Sequence, residues 1–585
     1  GDAGILRGRL QDLHGWQGRC LPGADTQRDF AGQFPAKGSY AGGLKSAEMR
    51  KKCDTISGLI RKRWAIALII IALQVCLLLI AGGRKADLNI DEVYSYIISN
   101  SYRADKITHD DRVFGQWFSG NEMDEFVEVC ADQRFAYGKA YYNTSQDCHP
   151  PLYYWSLHTI CSLFPDTFSI WTGYGLNIFF FVMTQILVFA ISDRWITGRK
   201  WSYLPLLLYG FSPVAMGCCL FIRMYMLLTM FAALFIYEHV LMFSNGVRGK
   251  YLLAVWLTIF LGSFTQYYFV IFSFWGVLLY ALWLLRKKEI KHCLLYGFGA
   301  LMSVGLMVLL FPYVIRQATG SETNNVGKEV MRNLFNVKLW LRMTVSLLKE
   351  LLRSLSFQRL LSGAVAVGTV LLTGYGVLDR LKKGARIPVE YGYMVTVFAL
   401  TFLSISFIGG EYVYLRYIYF ICPLLYVSVA AFLELVPGQK LQKTVMVALV
   451  LFSITNGAYG VFADKVEGLE LNAAREREKL SAYTNYPLVV MMEKKSTAIP
   501  TGNFTKIRTF DTVYMDIRSN IEKEHVIKEG LEISESGKCV VYVPTDREWI
   551  KGYEASELFK ELQDTKGLPV RSIARGSLGE YFLVG

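Results

Sequence analysis

The stretch ADLNIDEVYSY sets two carboxylates side by side, Asp91 and Glu92, about ten residues beyond an apolar run. An adjacent Asp-Glu pair on a loop is ordinarily just solvated. Beside a membrane wall, low dielectric tunes a carboxylate's proton affinity and suits it to abstract a proton. The same loop continues to DCHPPLYYWSLHTICSLF, where His149 is held by two prolines at the entrance of an aromatic-rich helix. That helix, about 14 residues, is too short to span and should rest in the head-group region, where Tyr and Trp are favoured. Two cations follow: Arg223, with Tyr225, in CLFIRMYM, and Arg416 in GGEYVYLRYIYFICP, ahead of Pro423. An arginine at a span end can simply snorkel to lipid head groups. On the same side as Asp91 and His149, the two also suit a phosphate leaving group. The THDD run (His109, Asp110, Asp111) could hold a divalent cation, but two acids and one histidine make an incomplete set, and a solvated turn is the simpler reading.

The elements that must position these residues are membrane spans. The chain has 585 residues, 53% of them hydrophobic, and its charged residues collect between apolar runs. Windows of about 20 apolar residues fall at 64–82, 168–192, 202–220, 222–243, 251–265, 266–285, 293–312, 359–378, 389–408, 416–435 and 441–462, about eleven spans. The basic flank at Arg61, Lys62 and Arg63 places the N-terminus in the cytoplasm, and the net charge of +13 then reads as topology. Predicted inner segments carry Arg194, Arg248, Lys250, Arg286, Lys287, Lys288, Arg380, Lys382, Lys383, Arg386, Lys440 and Lys443. One outer loop, 313–358, breaks the pattern with seven basic residues. Its part NVKLWLRMTVSLLKELLRSL has amphipathic helical spacing and is expected to lie flat among the head groups.

Three domains follow. Residues 1–63 form a cytoplasmic tail, in which the methionine-free stretch before Met49 reads as a non-native leader or as a disordered tail. Residues 64–463 form the all-α polytopic domain, with a first outer loop at 83–167. Residues 464–585 read as a small extracytoplasmic α/β domain: PLVVMM, KCVVYVP and EYFLVG are strand-like, REREKL and EASELFKELQD helix-like. The eleven cysteines show no metal spacing, and Cys130 and Cys148 share one loop, which leaves a disulfide open. No RNA-reading motif and no soluble basic domain accompany the positive charge, which argues against nucleic acid as a partner. No GxGxxG follows a strand, and no GxxxxGK[ST] is present.

Taken in order, IDEVYSY, HPPLYYW, the IRMYML turn and YLRYIYFICP resemble the GT-C membrane glycosyltransferases, nearest to the protein O-mannosyltransferases and the lipid A aminoarabinose transferases. The resemblance covers roughly 64–435. It implies transfer of a hexosyl or pentosyl group from a polyprenyl-phosphate donor to a protein, lipid or glycan acceptor, on the outer face of the cell membrane, with inversion at the anomeric carbon. It further implies Asp91 as general base and Glu92 as the acid that supports the acceptor or a neighbouring cation. His149, Arg416, Arg223 and Tyr225 would bind donor phosphate. His149 stands where the aminoarabinose branch has lysine, a departure that fits a different donor head group. No cofactor is implied, and these branches are not generally metal-dependent. Two rival classes remain. A secondary transporter or lipid flippase should carry internal repeats and mid-membrane charge, of which Glu238, towards an inner span end, is the nearest instance. An O-antigen-type polymerase or ligase would place its main loop late in the chain. A scaffold that has lost activity is a further option, against which the intact Asp91–Glu92 pair speaks.

Overall fold

The computed structural model describes residues 39–319, 336–408, 414–544 and 569–585, apart from positions 197, 199, 493 and 577. The helix-like run EASELFKELQD and the first 38 residues lie outside the described residues. In hydrocarbon every backbone polar group must be satisfied within its own segment, so each long apolar run becomes a helix. Nine helices among the described residues are long and apolar enough to cross a membrane, and the chain is an integral membrane protein. They are Arg61–Gly83, Ile170–Trp195, Tyr225–Asn245, Tyr268–Arg286, Ile290–Leu310, Arg359–Lys382, Val389–Ile408, Leu415–Leu433 and Gln439–Phe462.

Two of the expected eleven spans differ. The run at 202–220 is a pair of helices, Trp201–Gly210 and Pro213–Leu220, bent by 51°. Ser212 caps the second helix, accepting the Ala215 N–H at 3.2 Å, and Pro213 occupies its first turn, where the missing N–H costs nothing. At Gly210, beside the bend, the amides of Gln74 and Gln185 lie where a side chain would stand, so a larger residue would have to displace them. The run at 251–265 is a helix of 15 residues, Gly249–Ser263. At 1.5 Å per residue it reaches roughly 22 Å, short of a hydrocarbon core of about 30 Å.

The spans differ in burial. Tyr225–Asn245 has 72% of its apolar window buried inside the protein, whereas Arg359–Lys382 has 11% and presents most of its surface to lipid. The amphipathic helix forms at Val337–Arg353, with Leu339, Met343, Leu347 and Leu351 buried at a spacing of four. It does not only lie among head groups. Thr344 bonds Ser406 at 2.8 Å and Trp340 Nε1 donates to the Leu403 carbonyl, so it packs along the span Val389–Ile408.

The first loop contains helices Ile90–Asn100, Tyr137–Ser145 and Leu152–Ser162. The last, 11 residues long, is as short as expected, but Tyr153, Tyr154, Leu157, His158 and Cys161 are buried. It is packed into the protein where an interfacial position was expected, because both neighbouring helices of the loop and the span Ile170–Trp195 lie against it. Cys130 and Cys148 are both free thiols, so the disulfide left open above is not formed.

The C-terminal region carries a six-stranded mixed sheet: β1 (Trp117–Phe118), β2 (Leu488–Met492), β3 (Val513–Ile517), β4 (Cys539–Pro544), β5 (Val570–Arg575) and β6 (Gly579–Val584), in the order β1-β3-β2-β4-β6-β5. β2 runs parallel to β3 and β4, and the other pairings are antiparallel. The three strand-like runs of the sequence are β2, β4 and β6. β3 and β5 are additional, and β1 comes from the first loop, nearly 400 residues earlier in the chain. Further ties close the same junction. Gly115 N–H donates to the Met515 carbonyl at 2.8 Å, and Arg508 grips Asp124 with two bonds of 2.6 Å.

Candidate functional site

The helix Ile90–Asn100 begins on a capping box written in the sequence as Asn-Ile-Asp-Glu. The Asn89 side chain accepts the Asp91 N–H at 3.1 Å, and the Glu92 carboxylate accepts the Asn89 N–H at 2.8 Å. Consecutive helical residues point about 100° apart, so the two acids part company at once. Asp91 stays partly open, its side chain 25% exposed, and its Oδ2 lies 2.8 Å from an Arg416 guanidinium nitrogen. Glu92 turns inward and is fully buried.

Both Glu92 oxygens are occupied. One accepts Lys85 Nζ at 2.9 Å along with the Asn89 N–H, and the other accepts the Ile222 N–H at 2.8 Å. Burial pushes the Glu92 carboxyl above its ordinary range, against the pull of Lys85 and the two backbone N–H groups. Lys85 Nζ, beside Glu92, also donates to the Gly468 carbonyl at 2.6 Å. Through Ile222, Glu92 fixes the turn that carries Arg223. Asn177 holds the same turn from the other side, donating to the Cys219 and Phe221 carbonyls at 3.1 and 2.8 Å.

Arg223 is buried, 6% exposed, and bonds the Tyr154 hydroxyl at 3.3 Å. Asp91 and Asp147 both lie close enough to act on its charge. Arg416 sits in an aromatic cage, its guanidinium 5.5, 4.6 and 5.8 Å from the ring centres of Phe221, Tyr414 and Tyr417. Tyr225 packs in parallel on Phe221 and edge-on to Tyr419. His149 Nδ1 lies 2.8 Å from Asp147 Oδ2. Four of the groups form a row of alternating charge, Arg416, Asp91, Arg223 and Asp147, with His149 against Asp147. In that row the Nε atoms of Arg223 and Arg416 are buried with no hydrogen-bond partner among the described residues.

The structure therefore gathers Asp91, Arg223, Tyr225, Arg416 and His149 around one site, with Glu92 behind it. Asp147, Lys85 and Tyr154 belong to it as well and were not singled out by sequence reasoning. The available signal for Asp147 was its place two residues before the histidine of the Pro-Pro motif. The THDD run does not gather into a cation site. Asp110 is paired with Arg103 at 2.8 Å and Arg112 at 3.0 Å, and despite burial these hold its carboxyl below the usual range. His109 instead contacts Asp105 at 3.2 Å, and Asp111 is exposed. Among the described residues, metal-ligating atoms come together only at Asp147, Cys148 and His149, within 4.8 Å of one another. There the histidine Nδ1 already faces the aspartate, and Arg223 adds positive charge beside it.

No family model matches the chain, and no curated protein matches it. Among solved structures, the chain is similar to ArnT from Cupriavidus metallidurans bound to undecaprenyl phosphate, with a TM-score of 0.48, 11% identity, and coverage of 89% of this chain and 98% of that one. For the apo state of the same protein the values are 0.47, 9%, 90% and 98%.

Proposed function

We propose that this chain is a membrane glycosyltransferase that moves a sugar from a polyprenyl-phosphate-linked donor to an acceptor on the outer face of the membrane. The observation that carries this reading is the pair of guanidinium groups associated with Asp91, each with a buried and unpartnered Nε. A buried donor without a partner costs about 1–3 kcal/mol, and phosphate oxygens are its strongest match. A sugar already linked to a phosphate is activated. The protein then needs only a base for the incoming hydroxyl and cations for the departing phosphate.

In this reading Asp91 takes the acceptor's proton as the acceptor oxygen attacks the anomeric carbon. The bond from that carbon to the phosphate oxygen breaks, its electron pair stays on the phosphate, and the configuration inverts. Arg416 and Arg223 bind the phosphate, helped by His149 and Tyr225. Glu92 supports the site by holding Lys85 and the Arg223 turn. A phosphate that takes up guanidinium N–H groups shares Arg416 with Asp91, which leaves the carboxylate freer to accept a proton. The basic segments at the opposite span ends support an N-terminus in the cytoplasm and a sheet domain outside. The polyprenyl tail lies between spans, with Val337–Arg353 as one wall.

Purified wild type and Asp91→Asn are compared for transfer of radiolabelled sugar from a panel of polyprenyl-phosphate donors. Asn keeps the size of Asp but does not accept the proton, so transfer should fall about a hundredfold or more. Unchanged transfer removes Asp91 from the mechanism, and no transfer from any donor by wild type sinks the reading itself.

A further inference from the structure

Three residues after Asp91, on the same side of the helix Ile90–Asn100, stands Tyr94. It is half-buried, and its phenol is close enough to Asp147 and Asp91 for both carboxylates to act on it. Its other polar neighbours come from the C-terminal region, the hydroxyls of Thr497 and Thr501. The short helix Ala498–Gly502 brings them there. It packs against the helix that carries Asp91, where a Cβ added at Gly502 would stand 3.6 Å from Ile90 Cδ1, and the Asn89 amide donates to Glu470 at 3.4 Å. Thr501 is 1% exposed, and its Oγ1 is buried without a hydrogen-bond partner among the described residues. The Tyr94 phenol beside it approaches short of a full hydrogen bond.

Burial raises the Tyr94 phenol above its ordinary value, more than the two threonines lower it, so the phenol keeps its hydrogen. A neutral phenol donates one hydrogen bond and accepts others, as a threonine hydroxyl does. With two carboxylates alongside, these hydroxyls suit a neutral sugar hydroxyl better than a phosphate. The chemistry of the donor also brings a sugar to this place. Its anomeric carbon is one bond from the phosphate oxygen, and Arg416, which takes the phosphate, lies 2.8 Å from Asp91. The ring built on that carbon therefore rests against Asp91 and against what stands next to it on the helix.

We propose that Tyr94 is a specificity-determining residue, its phenol hydrogen-bonded to one hydroxyl of the donor sugar and oriented by Thr497 and Thr501. The sugar as ligand rests on the glycosyltransferase reading above. The region that carries the sheet thereby takes part in choosing the sugar.

The test uses the full chain, the polyprenyl-phosphate donor that wild type accepts best, and analogues of that donor each lacking one sugar hydroxyl. Release of polyprenyl phosphate gives kcat/KM for each. Tyr94→Phe removes the phenol oxygen and keeps the ring. It should lower kcat/KM for the parent donor about tenfold and leave one analogue within about twofold, so that the variant uses the two nearly alike. The remaining analogues should fall with the parent. Thr501→Val should narrow the same discrimination part of the way, and Thr501→Ser, which keeps the hydroxyl, should restore it. Should Tyr94→Phe not fold, the Thr501 pair carries the comparison. A loss shared equally by every donor, or no loss, overturns the role of Tyr94, while transfer by wild type keeps the reading above. Unchanged ratios in Thr501→Val overturn the orienting contact. Wild type that transfers from no donor overturns both the reading and the sugar contact.

Discussion

Two histidines at opposite ends of the helical bundle show what separates a built interior from a site. His239, in the span Tyr225–Asn245, is completely enclosed, with both nitrogens used: Nδ1 faces the Phe235 carbonyl at 2.7 Å and Nε2 the Tyr296 hydroxyl at 2.6 Å. Its ring lies nearly parallel to Tyr393, and next to it Glu238 bonds Thr258 at 2.8 Å. The second oxygen of Glu238, Oε2, is buried there without a hydrogen-bond partner among the described residues. At the other end His149 has a carboxylate on one nitrogen, no comparable partner on the second, and two arginines in the same row whose Nε atoms are unpartnered. Burying polar groups is common to both ends. Of the two, the His149 end is the one whose unmatched buried atoms are guanidinium donors, and that is where an anion would gain most.

The contrast can be broken by substitution. The largest effect belongs to Asp91→Asn, with the hundredfold loss of transfer given above. Next come Arg416→Ala and Arg223→Ala, each expected to raise donor KM by about 10–100-fold, from the 1.5–3 kcal/mol of a hydrogen bond to a charged group. Lys should restore Arg416 poorly, since it lacks the planar fork and stacks less well on the aromatic cage. Steady-state kinetics over donor concentration checks both, and an unchanged KM would remove either arginine from the phosphate. Lys85→Met leaves Glu92 buried and unpaired, which should cost about 3–5 kcal/mol of stability. Thermal unfolding measures it, and the double variant with Glu92→Gln should recover part of the loss. The smallest effect is expected at the opposite end: Glu238→Gln should change transfer by less than about twofold. A larger change there would mean that the enclosed cluster takes part in function and that the comparison is wrong.

Much of this was legible in the sequence, for reasons that differ by element. Long apolar runs read directly as spans because lipid permits little else, whereas the bend at 210–213 depends on Gln74 and Gln185 arriving from other helices. The strands β2, β4 and β6 announce themselves as apolar runs. β5 does not, since VRSIAR alternates with exposed charge, and β1 is two residues long and exists only because β3 is beside it. Asp91 and Glu92 look equivalent in a line of letters. Once the helix starts at Ile90 the 100° between them sends one to the opening and one to the interior. Asp147 left one signal, its place two residues before His149, but the charge of Arg223 beside it is brought near only by the fold.

The junction between the first loop and the sheet domain also has a schedule. Arg477 donates to the Ala86 carbonyl at 2.9 Å across 391 residues of sequence, and Lys85 reaches Gly468 across 383. At translation rates of roughly 5–20 residues per second, the ribosome needs about 20–80 s to deliver the second half of those contacts. Throughout that interval the loop bearing Asp91 lacks the strand partner, the Arg508 grip and the Gly468 carbonyl that complete it. A chain truncated after the span Gln439–Phe462 would keep the spans described here while its first loop lacked every one of these partners.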